Sequence, residues 1–171
     1  MKYYDKLGMV NSVYPPTDHL TFGYWIYLVP QYKPKSVLIL GYAGGTVAGL
    51  IRLLYQNVSI TAVDIKPCDN RYGVNFIQAD AKEYVKNCPP FDSVVVDLFH
   101  NDKKDTVCDF VLTKEFVNDL KRIANYVIVD TLGDPNMSAY NIFEFLTWIK
   151  PPGLNNKIYY YKVKDIPEVF I

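Results

Sequence analysis

The residues with the clearest chemical potential form the run Gly41-Tyr42-Ala43-Gly44-Gly45. The run follows the apolar stretch Ser36-Val37-Leu38-Ile39-Leu40 and precedes Thr46. Glycines here let the backbone reverse sharply and come close to a ligand. A helix starting at Thr46 would offer that ligand free N–H groups and the positive end of its dipole. Asp64, with Ile65 beside it, stands roughly 20 residues further on, at the end of the next β-branched run, where a carboxylate accepts hydrogen bonds from ribose hydroxyls. Together these residues point to a cofactor that contains a nucleoside. The spacing is Gly-x-x-Gly-Gly, not the Gly-x-Gly-x-x-Gly of a nicotinamide dinucleotide site. The plainer readings are a turn built only for helix–sheet packing and an aspartate that caps the turn at Lys66-Pro67.

Three further places carry polar groups at strand ends. Asp80, followed by Ala81, could accept a hydrogen bond from an adenine amino group, or cap the helix that starts at Ala81. Asp97 closes the run Val94-Val95-Val96 at the sheet edge where ligands of open α/β sheets bind. It is the best candidate for a carboxylate facing the substrate. His100 and Asp102 follow in a polar loop, with His100 as a candidate proton acceptor. Upstream, Tyr24 and Trp25 could form an aromatic wall for the second substrate.

These residues need a scaffold, and the hydrophobic pattern supplies one. Short apolar runs over 36–40, 58–64, 74–78, 93–97 and 126–130 read as buried strands. Helical spacing recurs over 46–55, 113–124 and 138–149, with a brief helix over 81–86. The stretch 20–29 reads as a helix lying on the sheet. The stretches 157–163 and 168–171 read as two closing strands, an antiparallel pair. Strands alternating with helices imply a mostly parallel sheet covered on both faces.

Bulk properties narrow the function classes. The 171 residues fit one domain, with 1–33 as a helical and aromatic extension. There are 18 basic and 18 acidic side chains, so charge gives no case for nucleic acid or an anionic membrane as main partner. Three cysteines without Cys-x-x-Cys spacing argue against a disulfide framework or a zinc site, and no metal is expected. No signal peptide or membrane span is visible, so the expected location is cytoplasmic. The aromatic N-terminal segment offers a surface for a homodimer.

In order along the chain, the glycine turn, Asp64, Ala79-Asp80-Ala81 and Phe91-Asp92-x4-Asp97 resemble the class I S-adenosylmethionine-dependent methyltransferase superfamily. The spermidine-synthase-like branch is the nearest part of it. Lys35 to Gly41 with Gly44-Gly45-Thr46 is similar to that branch's first motif. Leu112-Thr113-Lys114-Glu115-Phe116 is similar to the segment after its active-site loop. The resemblance runs from about Leu20 to the C-terminus. It implies a Rossmann-like α/β sheet of seven strands in the order 3-2-1-4-5-7-6. It also implies cofactor contacts at Gly41, Tyr42, Gly44, Gly45, Asp64, Ile65, Asp80, Ala81 and Asp97.

The chain departs from spermidine synthases at informative places. Ala43 stands where they carry an aspartate inside the turn. Asp97-Leu98-Phe99-His100 replaces their Asp-x-x-Asp. Phe22-Gly23-Tyr24 replaces their Tyr-Gln-Glu or Tyr-His-Glu box, and their separate N-terminal β domain is not expected here. Polyamines are cations that need carboxylate partners. The expectation is therefore a methyltransferase that uses S-adenosylmethionine and acts on a small-molecule or macromolecular acceptor, a small molecule being favoured, with Asp97 and His100 as catalytic candidates. The alternatives are an aminopropyltransferase using decarboxylated S-adenosylmethionine with an altered acceptor, or a non-catalytic assembly module that kept the fold.

Overall fold

The computed structural model describes residues 2–4, 10–13, 23–100 and 106–165. Its centre is a seven-stranded sheet made of β3 (Ser36–Leu40), β4 (Ser59–Asp64), β5 (Asn75–Gln78), β6 (Phe91–Val96), β9 (Ala124–Leu132), β10 (Glu144–Ile149) and β11 (Asn156–Lys162). The spatial order is β10-β11-β9-β6-β3-β4-β5. Numbered within the sheet and read from the other edge, this is the expected 3-2-1-4-5-7-6. The five strands from β5 to β9 run parallel, and β11 returns antiparallel between β9 and β10. Two short hairpins lie outside the sheet: β1 (Lys2–Tyr4) with β2 (Val10–Val13), and β7 (Phe99–His100) with β8 (Thr106–Val107).

Side chains alternate along β3 into two cores. Leu38 and Leu40 face one side with Val94, Phe116, Leu120 and Tyr140. Val37 and Ile39 face the other with Leu28, Leu50, Ile51 and Tyr126. Helix α1 (Thr46–Leu54) buries Val47, Leu50 and Ile51. Helix α3 (Lys114–Ile123) buries Phe116, Val117, Leu120 and Ile123. Thr113 caps α3 by accepting from the Phe116 N–H at 3.3 Å. The short α2 (Ala81–Tyr84) follows β5. Among the described residues no helix is long and apolar enough to cross a membrane.

Two expected helices are corrected. Over 138–149 only Ser138–Ile142 is helical, as a 3-10 turn, and Glu144–Ile149 is strand β10. Phe143, Phe145, Thr147, Trp148 and Ile149 favour a pleated surface, and β11 supplies the partner ladder that local spacing could not reveal. The closing antiparallel pair is thus β10 with β11; the expected strand over 168–171 lies outside the described residues. Over 20–29 the helix shrinks to the 3-10 turn Trp25–Leu28. Pro30 holds Val29 in extended backbone, with ψ at 130°, and so ends any helix there. Residues 20–22 lie outside the described set.

Candidate functional site

The turn 41–45 sits where β3, β4 and β6 end together. The Gly41 N–H donates to the Val63 carbonyl and the Asp97 N–H donates to the Leu40 carbonyl, both at 2.9 Å. Gly41 adopts φ +92°, and a Cβ there would lie 2.0 Å from the Asp97 carbonyl oxygen. Only glycine lets these two backbones approach so closely. Ala43 also has positive φ, at 47°, and Gly45 follows at 83°. A Cβ on Gly45 would meet the Tyr42 hydroxyl at 2.5 Å.

Asp64 holds the turn in place. Its Oδ2 accepts from the Tyr42 and Ala43 N–H groups, each at 3.0 Å, and its Oδ1 accepts from the Lys66 N–H at 2.9 Å. A carboxylate has about four lone-pair sites. Three are thus engaged by backbone, which leaves room on Oδ1 for one hydroxyl rather than a bidentate grip on a diol. Ile65 next to it is 67% exposed. The Tyr42 side chain turns inward: its ring packs 5.5 Å from Phe76, and its hydroxyl donates to the Arg71 carbonyl at 3.1 Å. Asp80 caps α2 by accepting from the Lys82 N–H at 2.8 Å, with its side chain exposed and Ala81 buried behind it.

Asp97 follows β6 across the mouth of the turn. The Tyr24 hydroxyl stands 3.4 Å from each of its carboxylate oxygens and donates to them. Burial pushes the Tyr24 hydroxyl well above the usual tyrosine range, and the charges of Asp97 and Asp130 push it the same way. Tyr24 therefore stays a neutral donor at neutral pH. Trp25 lies against Tyr24, with ring centroids 4.9 Å apart, and is itself buried in the core. His100 sits on the β7–β8 hairpin opposite Thr106, partly buried. No hydrogen bond among the described residues joins it to Asp97 or Tyr24. Asp102 lies outside the described residues.

Sequence reading missed Asp130. The β6–β9 register pairs Val96 with Val129, so the next residues, Asp97 just past the end of β6 and Asp130 inside β9, follow side by side on adjacent parallel strands. Asp130 is fully buried and accepts from the Asn156 side-chain amide at 2.8 Å. The signal was available: Asp130 ends its apolar run as Asp97 does. What was missing was the pairing that makes them neighbours.

Comparison with known proteins gives the scaffold a precedent. Human methyltransferase-like protein 13, solved in complex with S-adenosylhomocysteine, superposes with a TM-score of 0.65 over 85% of this chain and 78% of that one, at 16% identity. The N-methyltransferase NodS from Bradyrhizobium japonicum, also with S-adenosylhomocysteine, gives 0.55 over 76% and 78%, at 10% identity. A probable spermidine synthase from Corynebacterium glutamicum gives 0.61 over 77% and 57%, at 15% identity. The chain has the class I methyltransferase fold. Its sequence is also 30% identical over 125 residues to a polyamine aminopropyltransferase from Sulfurisphaera tokodaii, covering 62% of this chain and 41% of that protein. The chain thus spans about two-fifths of the length of the curated relative it matches. No family model matches the chain.

Proposed function

We propose that this chain binds S-adenosylmethionine at the carboxyl edge of β3, β4 and β6 and transfers its methyl group to a small-molecule acceptor. One observation carries the reading: a glycine turn tied to a strand-end carboxylate opens directly onto the Asp97–Tyr24 pair. The residues present fit the cofactor. The turn is too tight for a side chain at Gly41, Asp64 keeps one acceptor position for a ribose hydroxyl, and exposed Ile65 offers an apolar surface beside it. When bound, S-adenosylmethionine supplies a methyl group already activated by its sulfonium. The protein's task is then alignment and exclusion of water. Tyr24 fixes the Asp97 carboxylate by donating to both oxygens. Asp97 in turn accepts a hydrogen bond from the nucleophile, and takes its proton when the nucleophile carries one. His100, on the β7–β8 hairpin that follows Asp97, is a second candidate proton acceptor.

The test is product analysis with a panel of small amines, alcohols and thiols. Formation of S-adenosylhomocysteine supports methyl transfer. Asp97→Asn should lower turnover by about 10²–10⁴-fold, the range for losing a general base. Lack of any S-adenosylhomocysteine with every acceptor contradicts the reading. A second reading, aminopropyl transfer from decarboxylated S-adenosylmethionine, is favoured by the Sulfurisphaera tokodaii relative and by Asp130 as a second carboxylate beside Asp97. It would give methylthioadenosine instead.

A further inference from the structure

The outer edge of β10 has a feature that the proposed reaction does not use. Among the described residues no strand pairs with this edge. Three of the large apolar side chains most open to solvent cluster there: Ile142 at 48%, Phe145 at 53% and Trp148 at 47% exposed. Phe145 also lines a groove of about 410 Å³, together with Met137, Tyr140, Asn141, Phe143, Tyr159 and Tyr161. The opposite edge of the sheet, β5, is shorter and presents exposed Asn75 and Gln78. Edge strands are normally kept short or polar because their unpaired N–H and C=O groups invite another chain. β5 follows that rule and β10 does not.

The register of β10 points to what covers it. Phe145 pairs with Tyr161 and Trp148 pairs with Tyr159, and the register shifts between Phe145 and Thr147. Tyr159 and Tyr161 share a face because they are two residues apart. Leu146 is therefore the extra residue of a bulge that brings Phe145 and Trp148, three apart, onto one face. An antiparallel two-fold pairing of β10 with itself must set side chains of one face against each other. With this bulge, faces match when the axis passes between Leu146 and Thr147. Phe145 of one copy then lies opposite Trp148 of the other, twice over, and aromatic cross-strand pairs are among the better sheet contacts. The rim carries both signs, already paired within the chain: Glu144 with Lys162 at 3.4 Å and Asp134 with Lys157 at 2.6 Å. A neutral, mixed rim on a chain of zero net charge gives a second copy nothing to repel, and gives a charged polymer nothing to hold.

We infer that β10 is a self-pairing edge, and that two copies of this chain join there into one continuous sheet with reciprocal Phe145–Trp148 contacts. This interface is independent of the cofactor reading. Sedimentation velocity on the full chain tests it. The expected species has twice the 19.7 kDa chain mass. Phe145→Glu and Trp148→Glu should each convert it to monomer with an unchanged circular dichroism spectrum, since both side chains are exposed. Leu53→Glu, on the exposed end of α1, should leave the dimer intact. Mixing Phe145→Cys with Trp148→Cys chains under oxidising conditions should give a disulfide-linked dimer that neither variant gives alone. A wild-type monomer at 100-fold dilution and at stock concentration alike would overturn the inference. So would a dimer untouched by both glutamates, or a cross-link that fails to form between the mixed chains.

Discussion

The two halves of the sheet are built by different means. On one side, β3, β4 and β5 with α1 form a parallel, locally connected unit whose polar features are mostly backbone. Asp64 satisfies three amides there, and glycine geometry at 41–45 sets where the chain turns. On the other side, β9, β10 and β11 are joined by aromatic packing. Tyr140 stacks on Tyr161 at 5.2 Å, Tyr161 lies parallel to Tyr159 at 6.4 Å, and Phe143 and Phe145 abut the same ring. Position on the first side is set by hydrogen bonds at fixed atoms. On the second it is set by buried apolar area, which tolerates bulges and tilts. The first side suits a small, exactly placed ligand; the second suits a broad contact.

Substitutions can break this contrast at its sharpest point first. Gly41→Ala would push a Cβ to 2.0 Å from the Asp97 carbonyl oxygen at a φ of +92°. It should cost more than about 4 kcal/mol, in the exceptional tail of single mutations. Gly153→Ala, at φ +73° with nothing within 4 Å, should cost only about 1–2 kcal/mol, the penalty for left-handed backbone alone. Urea unfolding of the two variants measures the difference. Equal losses would mean that the turn is not a close-approach point.

Alkaline unfolding should single out the aromatic half. Burial raises the hydroxyls of Tyr126, Tyr140, Tyr160 and Tyr161 above the usual 10.0, and on the N-terminal flank it raises Tyr24 and carries Tyr32 up to about 12. A raised folded-state value means that the native state holds its protons where the unfolded chain has lost them. These groups therefore contribute fully below pH 10, and their contribution falls as pH rises through the folded values. The urea midpoint should stay level from pH 7 to 9 and drop above 10. Trp148 fluorescence in β10 should change before cofactor binding does.

Asp64→Ala sharpens the contrast from the other side. It leaves the Tyr42 and Ala43 amides without their acceptor and should lower stability by about 1–3 kcal/mol. Tyr126→Phe should have the smallest effect, and of opposite sign. The Tyr126 hydroxyl is buried with no hydrogen-bond partner among the described residues, so its removal should raise stability by about 1 kcal/mol. A loss there would show a partner that this packing does not contain.

The same division explains what could be read from sequence. The parallel half was legible because its information is contiguous. Four apolar residues, Val37 to Leu40, run into a glycine turn and then a helix, and β3 and α1 fall within a residue of their expected bounds. Asp64 and Asp97 announce themselves as strand ends. The role of Asp64 toward its own turn was not legible, because it depends on where the Tyr42 and Ala43 amides point. In the aromatic half, Ile142, Phe145, Leu146 and Ile149 keep helical spacing although most of them lie in a strand. Only β11, arriving from later in the chain, decides between the two. Asp130 escaped notice for the same reason, since its significance rests on the register of β9 against β6.

Calorimetric titration of the wild-type chain with S-adenosylhomocysteine, repeated with Asp64→Ala, bears most directly on the cofactor reading. Saturable one-to-one binding is expected, competitive with S-adenosylmethionine and weakened in the variant. No binding heat with the folded wild-type protein, or equal affinity in a folded Asp64→Ala, would contradict it.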